Sequence, residues 1–183
     1  MNCYGAKDLA NAFRTVRKNT ITIAEEVGEE HYGFRATPET RTIAQTLLHI
    51  ALVPQLQEHI HGTARVSDLN GFDFFGFIGP LMAREKSPGT KAQIVDLLRE
   101  NGDRLANWIE TLSDDFLAEQ VIMPRGMGPV SKSRFEMLLG IKEHEMHHRG
   151  QLMLMERMLG MVPHLTREFQ ARMAAMQAAK TSS

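Results

Sequence analysis

Eight histidines stand beside a single cysteine in this chain of 183 residues. Cys3 alone can build neither a thiolate zinc site nor a redox CxxC pair. Metal chemistry here must rest on imidazole, which ligates without thiolate help and titrates near neutrality. The densest stretch is Glu143-His144-Glu145-Met146-His147-His148-Arg149-Gly150-Gln151-Leu152. At about 100° per helical residue, Met137, Ile141, His144, His148, Gln151, Met155 and Leu159 fall within an arc of roughly 80°. His144 and His148 then lie one turn apart in the middle of an apolar stripe, the spacing with which one helix face holds a single cation. His147, about 60° from His144, sits at the stripe's edge as a supporting group. Glu145 points about 100° away, towards the flank, and is given no catalytic role. A third ligand has to come from another helix, where His49 shares its face with Thr42, Val53, Leu56 and Ile60. Standing alone, His49 reads as a hydrogen-bonded core histidine. With the pair, three neutral imidazoles would leave a coordination position open to water or substrate, the pattern of a catalytic rather than a structural metal.

Other patterns compete. His144 to His148 also satisfies HExxH, the metallopeptidase signature whose Glu activates a water. The metzincin extension fails because Gly150 falls one position early, and Glu168 is only a distant third-ligand candidate. Such peptidases bind substrate along a strand edge, and this chain offers almost no strand. Gly126 to Ser131 is a fragment of a nucleotide-loop pattern without a strand-loop-helix unit and reads as a plain loop. The cluster Phe72 to Phe77 reads as packing or interface. The twelve methionines read as adaptable core filler, with an apolar pocket lining as the alternative. A non-catalytic dimeric metal-binding protein stays open as a class, since a closed four-ligand shell completed by His147 or the Phe-rich segment would leave no room for a reaction.

The elements that must position these residues follow from hydrophobic period and punctuation. Asp8 to Val27 carries Leu9, Phe13, Val16, Thr20 and Ile23 at helical steps, with Asp8 as cap and Gly28 as terminator. Thr37-Pro38 opens a second helix to about His61, in which Pro54 removes a hydrogen bond to the carbonyl of Ile50 and predicts a break. His59 and His61 fall at its end, where solvent exposure is expected. Gly62 to Lys86 loses the pattern and reads as a long crossover that covers a site or spans the structure. Ser87-Pro88 opens the third helix, with Ile94, Leu98, Leu105, Trp108, Ile109 and Leu112 inward. Gln120 to Met123 is the only strand candidate. Ser133-Arg134-Phe135-Glu136 is a capping box for the fourth helix, which runs to Leu159 and closes at Gly160. From about Thr166 a tail with Phe169, Met173 and Met176 is either a docked fifth helix or partly frayed. Four long amphipathic helices describe an all-α bundle over residues 1–163, with a helical tail over 164–183. Composition agrees: 43% hydrophobic and 23% charged residues are ordinary globular values. The balance of 21 basic and 22 acidic residues makes no electrostatic case for nucleic acid. No window approaches 18 apolar residues, so no membrane span is expected and a cytoplasmic location is the default.

The pattern Thr42-Ile43-Ala44-Gln45-Thr46-Leu47-Leu48-His49-Ile50-Ala51, together with His144 to Leu152, resembles the DinB-like family of damage-inducible, YfiT-type metal-binding proteins. The similarity spans roughly Asp8 to Pro163, and HHRGQL is its most specific part. The resemblance implies a four-helix bundle of up-down-down-up topology, commonly a homodimer, holding one divalent metal through His49, His144 and His148. Gly62 to Lys86 would supply the crossover. Three imidazoles suit zinc or nickel first, with iron, manganese or copper also accommodated. Members of known activity include bacillithiol-dependent thiol transferases and mycothiol-dependent isomerases, and others are assigned as metal-dependent hydrolases. The implied function is therefore a transferase of the low-molecular-weight thiol type, or a hydrolase, acting on a small molecule, with His147 and Gln151 orienting the bound species. The Phe-rich segment, Pro54 and the helical tail depart from the family pattern and leave the substrate open.

Overall fold

The computed structural model describes residues 4–181, and Cys3 lies outside them. Helix α1 (Ala6–Glu26) buries Leu9, Phe13, Val16, Thr20 and Ile23, the stripe that its spacing predicts. Its cap differs from expectation. Gly5 is the N-cap, and Asp8, one turn in, accepts the Gly5 N–H at 3.1 Å. A carboxylate there satisfies a free donor and faces the positive end of the helix dipole. Gly28 makes no left-handed turn, since its φ is −61° and the chain already leaves the helix in extended form at Val27.

Thr37-Pro38 closes a turn rather than opening a helix, with Thr40 Oγ1 donating to the Thr37 carbonyl at 2.9 Å. Helix α2 (Ile43–Leu52) begins after Thr42, which exchanges reciprocal hydrogen bonds with Gln45. That capping box satisfies two backbone donors at once, which a proline start cannot. Pro54 breaks the helix as expected, and the chain continues as α3 (Pro54–Gln57) and a π turn (Glu58–Thr63). The carbonyls stranded by the break are not left bare. Ile50 O accepts from Arg17 Nη2 at 3.2 Å and Ala51 O from Asn101 Nδ2 at 2.9 Å. The π turn faces His61 inward, where it is fully buried, correcting the expected exposure. His59 is half-buried and stacks on Phe77.

The segment from Gly62 to Lys86 is only partly irregular. Its second half is helix α4 (Phe74–Glu85), capped by Asp73, whose side chain accepts from Gly76 N at 2.8 Å. Gly76, Gly79 and Pro80 lie inside it, and packing on α2 overrides their poor propensity. Helix α5 (Lys91–Glu110) starts after a Thr90–Gln93 capping box rather than at Ser87-Pro88. A short α6 (Asp114–Ala118) leads into β1 (Gln120–Ile122), the expected strand, which pairs antiparallel with β2 (Ser131–Ser133). Ser133 and Glu136 cap α7 (Arg134–Met158) as predicted, and Gly160, at φ +79°, follows its end. Helix α8 (His164–Thr181) completes the described chain.

Helices α1, α2, α5 and α7 form the bundle, with α1 and α2 each packed on α5 and α7. One core cluster joins the end of α1 (Ile23, Val27), the starts of α2 and α5 (Leu47, Ile94) and the end of α7 (Leu152). The other joins the starts of α1 and α7 (Phe13, Leu138) to the end of α5 (Leu105). That arrangement is up-down-down-up. No described helix is long and apolar enough to cross a membrane.

Helix α8 buries only His164, leaving Phe169, Met173 and Met176 exposed. Near its junction, both carboxylate oxygens of Glu156 are buried without a hydrogen-bond partner among the described residues. Burial, then the charge of Glu26, pushes this carboxyl up to about 7 against the opposing Arg167 and Arg157. A folded value above the unfolded 4.5 means that the native state holds the extra proton, so stability falls as pH rises from 4.5 to about 7. Glu156→Gln should therefore be more stable than the parent at about pH 8 and much closer to it at about pH 5, read by urea melts at the two pH values.

Candidate metal centre

His49 is brought in by α2, and His144 and His148 by α7. Their Nε2 atoms converge: His144 Nε2 lies 3.2 Å from His49 Nε2 and 3.1 Å from His148 Nε2. One atom from each ring falls within 4.8 Å of the others, so the three together can hold a metal ion. Ligand nitrogens around a tetrahedral ion at ~2.05 Å stand roughly 3.3 Å apart, close to the two contacts seen.

Hydrogen bonds behind the rings decide which nitrogen carries the proton. His49 Nδ1 lies 2.6 Å from Glu85 Oε1, and His148 Nδ1 lies 2.8 Å from Gln151 Oε1. Both acceptors are oxygens, so both rings carry the proton on Nδ1 and aim a bare Nε2 inward. His144 can donate to only one of them. In the neutral state one of the two contacts therefore sets lone pair against lone pair, a cost that a cation at the centre would turn into ligation. Protonating the rings is no remedy. Burial first, then the neighbouring histidines and Arg41, hold His144 down to about 4. Burial does the same to His148, which also falls to about 4 although its hydrogen bond to Gln151 opposes the shift. The donor set fits a borderline divalent ion with three nitrogen ligands.

Glu85 is the functional residue that sequence reasoning missed. It is buried, and its other oxygen accepts from Arg41 Nε at 3.0 Å. Burial opposes its ionisation, yet the pairing with His49, with the Arg41 guanidinium beside it, holds the carboxyl below the ordinary range. A carboxylate behind a ligating histidine fixes the ring and raises its basicity. Glu85→Gln should weaken metal binding about 10- to 100-fold without displacing the ion's three ligands, as measured by competition with a chromogenic chelator. No spacing links Glu85 to His49. Only α4, in the stretch read as crossover, carries it there.

The supporting pair is arranged in series. Gln151 touches His148, and exposed His147 reaches Gln151 at 3.2 Å and lies edge-on to the His148 ring, with centroids 4.9 Å apart. Glu145 is corrected outright: it faces the core, 2% exposed, and both its oxygens are taken by Arg17 at 2.9 to 3.1 Å. The HExxH reading thereby loses its base, because a carboxylate locked in a buried ion pair is not free to serve a water. Glu168 lies exposed on α8, in a contact with Arg172 on the same helix.

Beside His49 and His144 opens a cavity of about 510 Å³, walled by Leu52 and Leu56 from the broken second helix, Phe74 and Ile78 from α4, and Met137 and Ile141 from α7. The Phe-rich segment thus covers the site, and part of the methionine complement lines it.

Comparison with known proteins agrees with this architecture. No curated protein matches the chain. A DinB-like protein of Bacillus subtilis, YjoA, superposes with a TM-score of 0.60 at 18% identity, covering 83% of this chain and 92% of its own. YfiT of Bacillus subtilis gives a TM-score of 0.66 at 14% identity over 85% and 88% of the two chains; it is described as a "probable metal-dependent hydrolase with an unusual four-helix bundle topology". At such identities the likeness speaks for the fold alone. The family assignment rests on residues 12–152, which match the DinB superfamily, and with three quarters of its length so matched the chain belongs to that superfamily.

Proposed function

We propose that this protein is a metal-dependent enzyme acting on a small molecule, with one divalent ion held by His49, His144 and His148. Hydrolysis is the first reading and low-molecular-weight thiol transfer the second. The observation that carries the proposal is the coincidence of three inward Nε2 atoms with a largely apolar cavity of about 510 Å³ against two of the same histidines. A bound divalent ion would supply Lewis acidity and lower the pKa of a coordinated water or thiol. The protein's own residues do the rest. Glu85 and Gln151 hold two rings by their Nδ1 protons, so that their lone pairs meet without reorganisation. The apolar walls exclude water and strengthen the electrostatics inside. Hydrolysis is preferred because YfiT, which shares the fold, carries that description.

The test begins with elemental analysis of the purified protein, followed by reconstitution with zinc, nickel, manganese, iron or copper. The reconstituted protein is then offered small esters and amides, with and without a low-molecular-weight thiol and an electrophile. Turnover of ester or amide alone supports the hydrolase, and turnover only with thiol supports the transferase. Stoichiometric metal without either turnover would leave a binding protein and sink the enzyme reading.

A further inference from the structure

The π turn at Glu58–Thr63 buries a polar chain that the metal centre does not use. Arg134, 2% exposed, donates through Nε to Glu119 Oε2 at 2.8 Å and through Nη1 to His61 Nδ1 at 3.0 Å. A guanidinium only donates, so His61 Nδ1 must be the bare nitrogen and Nε2 must carry the proton. That Nε2–H faces Gln57 Oε1 at 3.0 Å. The carboxamide cannot turn over, because its NH2 would then meet the His61 N–H. Burial first, then the Arg134 charge, hold His61 down to about 4, so the neutral ring that this relay needs is the one present at pH 7.

The consequence falls in the cavity. Gln57 is one of its lining residues, its oxygen is committed to His61, and its NH2 has no partner among the described residues. The neighbouring polar groups are engaged elsewhere: Arg41 with Glu85, Glu85 with His49, and Glu136 with Ser133. The other donors on the lining are the Lys132 ammonium and the Nη groups of Arg41, which are charged, and the single N–H of the His144 ring, so Gln57 supplies the neutral carboxamide donor. The remaining lining is chiefly leucine, isoleucine, valine, methionine and phenylalanine. A pocket of this kind binds an apolar body and orients it by a few fixed polar groups. π turns are also frequent at functional sites.

We propose that the cavity takes a small neutral carbonyl compound with an apolar chain, of the ester or amide class, and that Gln57 determines specificity by donating a carboxamide N–H, oriented by His61, to its carbonyl oxygen. The proposal rests on the reading of this cavity as the substrate site, and its test is run on metal-free protein so that failure of the metal chemistry cannot be mistaken for failure of the recognition.

Chelator-treated protein is titrated with methyl hexanoate, which has an acceptor and no donor, with heptane, which has neither, and with hexanoate, which is charged. Binding is followed through the 15N-labelled side-chain amides. The Gln57 amide should shift on saturation with the ester. Gln57→Leu should weaken ester binding about tenfold while leaving heptane within about twofold. Gln57→Glu, which still accepts from His61 but cannot donate, should lose the ester to a similar extent. Lys132→Met should leave ester binding unchanged. Equal loss of ester and heptane in Gln57→Leu, no loss of either, a silent Gln57 amide, ester binding lost in Lys132→Met, hexanoate preferred over the ester, or no ester binding by the parent protein would each overturn the proposal.

Discussion

Replacing Glu145 by alanine should lower stability by about 3–5 kcal/mol, because it leaves the Arg17 guanidinium charged and uncompensated inside the bundle. Against a typical total of about 5–15 kcal/mol that is a severe loss. Arg17 is 4% exposed and Glu145 2%, so water cannot take over the missing partner. Arg17 also donates to Leu98 O at 2.7 Å and to Ile50 O at 3.2 Å, tying α1 to α5 and to the broken second helix. Arg17→Met should therefore cost a similar amount, by stranding the Glu145 carboxylate and the Ile50 carbonyl that Pro54 leaves without a backbone donor. The double variant Arg17→Met/Glu145→Leu should recover a large part of the loss, since an apolar pair of similar volume carries no desolvation cost. It should stop short of the parent because the Ile50 carbonyl stays unsatisfied. Urea denaturation of the parent, Arg17→Met, Glu145→Leu and the double variant closes the cycle, with Glu145→Ala read beside it. Single losses below about 1 kcal/mol would mean a solvent-screened pair and contradict the burial. Gly102 belongs to the same device, for a Cβ there would stand 2.8 Å from Arg17 Cγ and 2.9 Å from Nη1.

His144→Ala should abolish stoichiometric metal binding, with a loss well above the roughly 10- to 100-fold that removing a supporting residue costs. The three rings touch one another, and removal of His144 leaves only two nitrogens, from separate helices, to hold the ion. His49→Ala should do the same, whereas His147→Ala, which removes a partner of Gln151 and an edge contact to His148 but no inward nitrogen, should retain the metal. Elemental analysis of the dialysed variants reads the difference, and full retention by His144→Ala would remove the proposed centre. A second readout needs no metal. In the metal-free protein His144 and His148 sit at about 4, against 6.5 for an unperturbed histidine. The unfolded chain therefore binds protons that the folded one refuses, and stability should fall as pH drops from 6.5 towards 4. His144→Ala should be less acid-sensitive over that window, which separates loss of the site from general misfolding.

Much of the fold was legible along the chain because it is local. The apolar steps of α1 and α5, the Ser133–Glu136 capping box, the Pro54 break and the short strand at Gln120 depend on neighbours within a few residues. The misplaced starts of α2 and α5 have a common cause. In both, a Thr-x-x-Gln box a few residues downstream of the Pro outcompeted it as the entry to the helix. The face of α7 was read with a rotation error. Its buried residues Arg134, Ile141, Glu145, His148 and Leu152 centre roughly 60° from the arc drawn through Met137, His144 and Gln151. Glu145 was placed on the flank because its partner, Arg17, lies far away in sequence, and nothing in the capping box foretold that Arg134 would be buried against Glu119 and His61. The error mattered functionally, for it placed the histidines in the middle of a buried stripe when they stand at its edge, where one side can open to a cavity.

The residue types and the i, i+4 step by themselves determined that His144 and His148 share a helix face and that no thiolate site can be built here. Helical periodicity fixes the shared face, and one cysteine rules out a multi-thiolate site. That His49 closes the set in space, that Glu85 and Gln151 dictate its tautomers, that His61 orients Gln57 into a cavity and that Glu145 is structural were decided only by tertiary packing. Each depends on a contact between elements that sequence distance does not encode, and on burial that turns an ordinary polar side chain into one with a single partner and a single orientation.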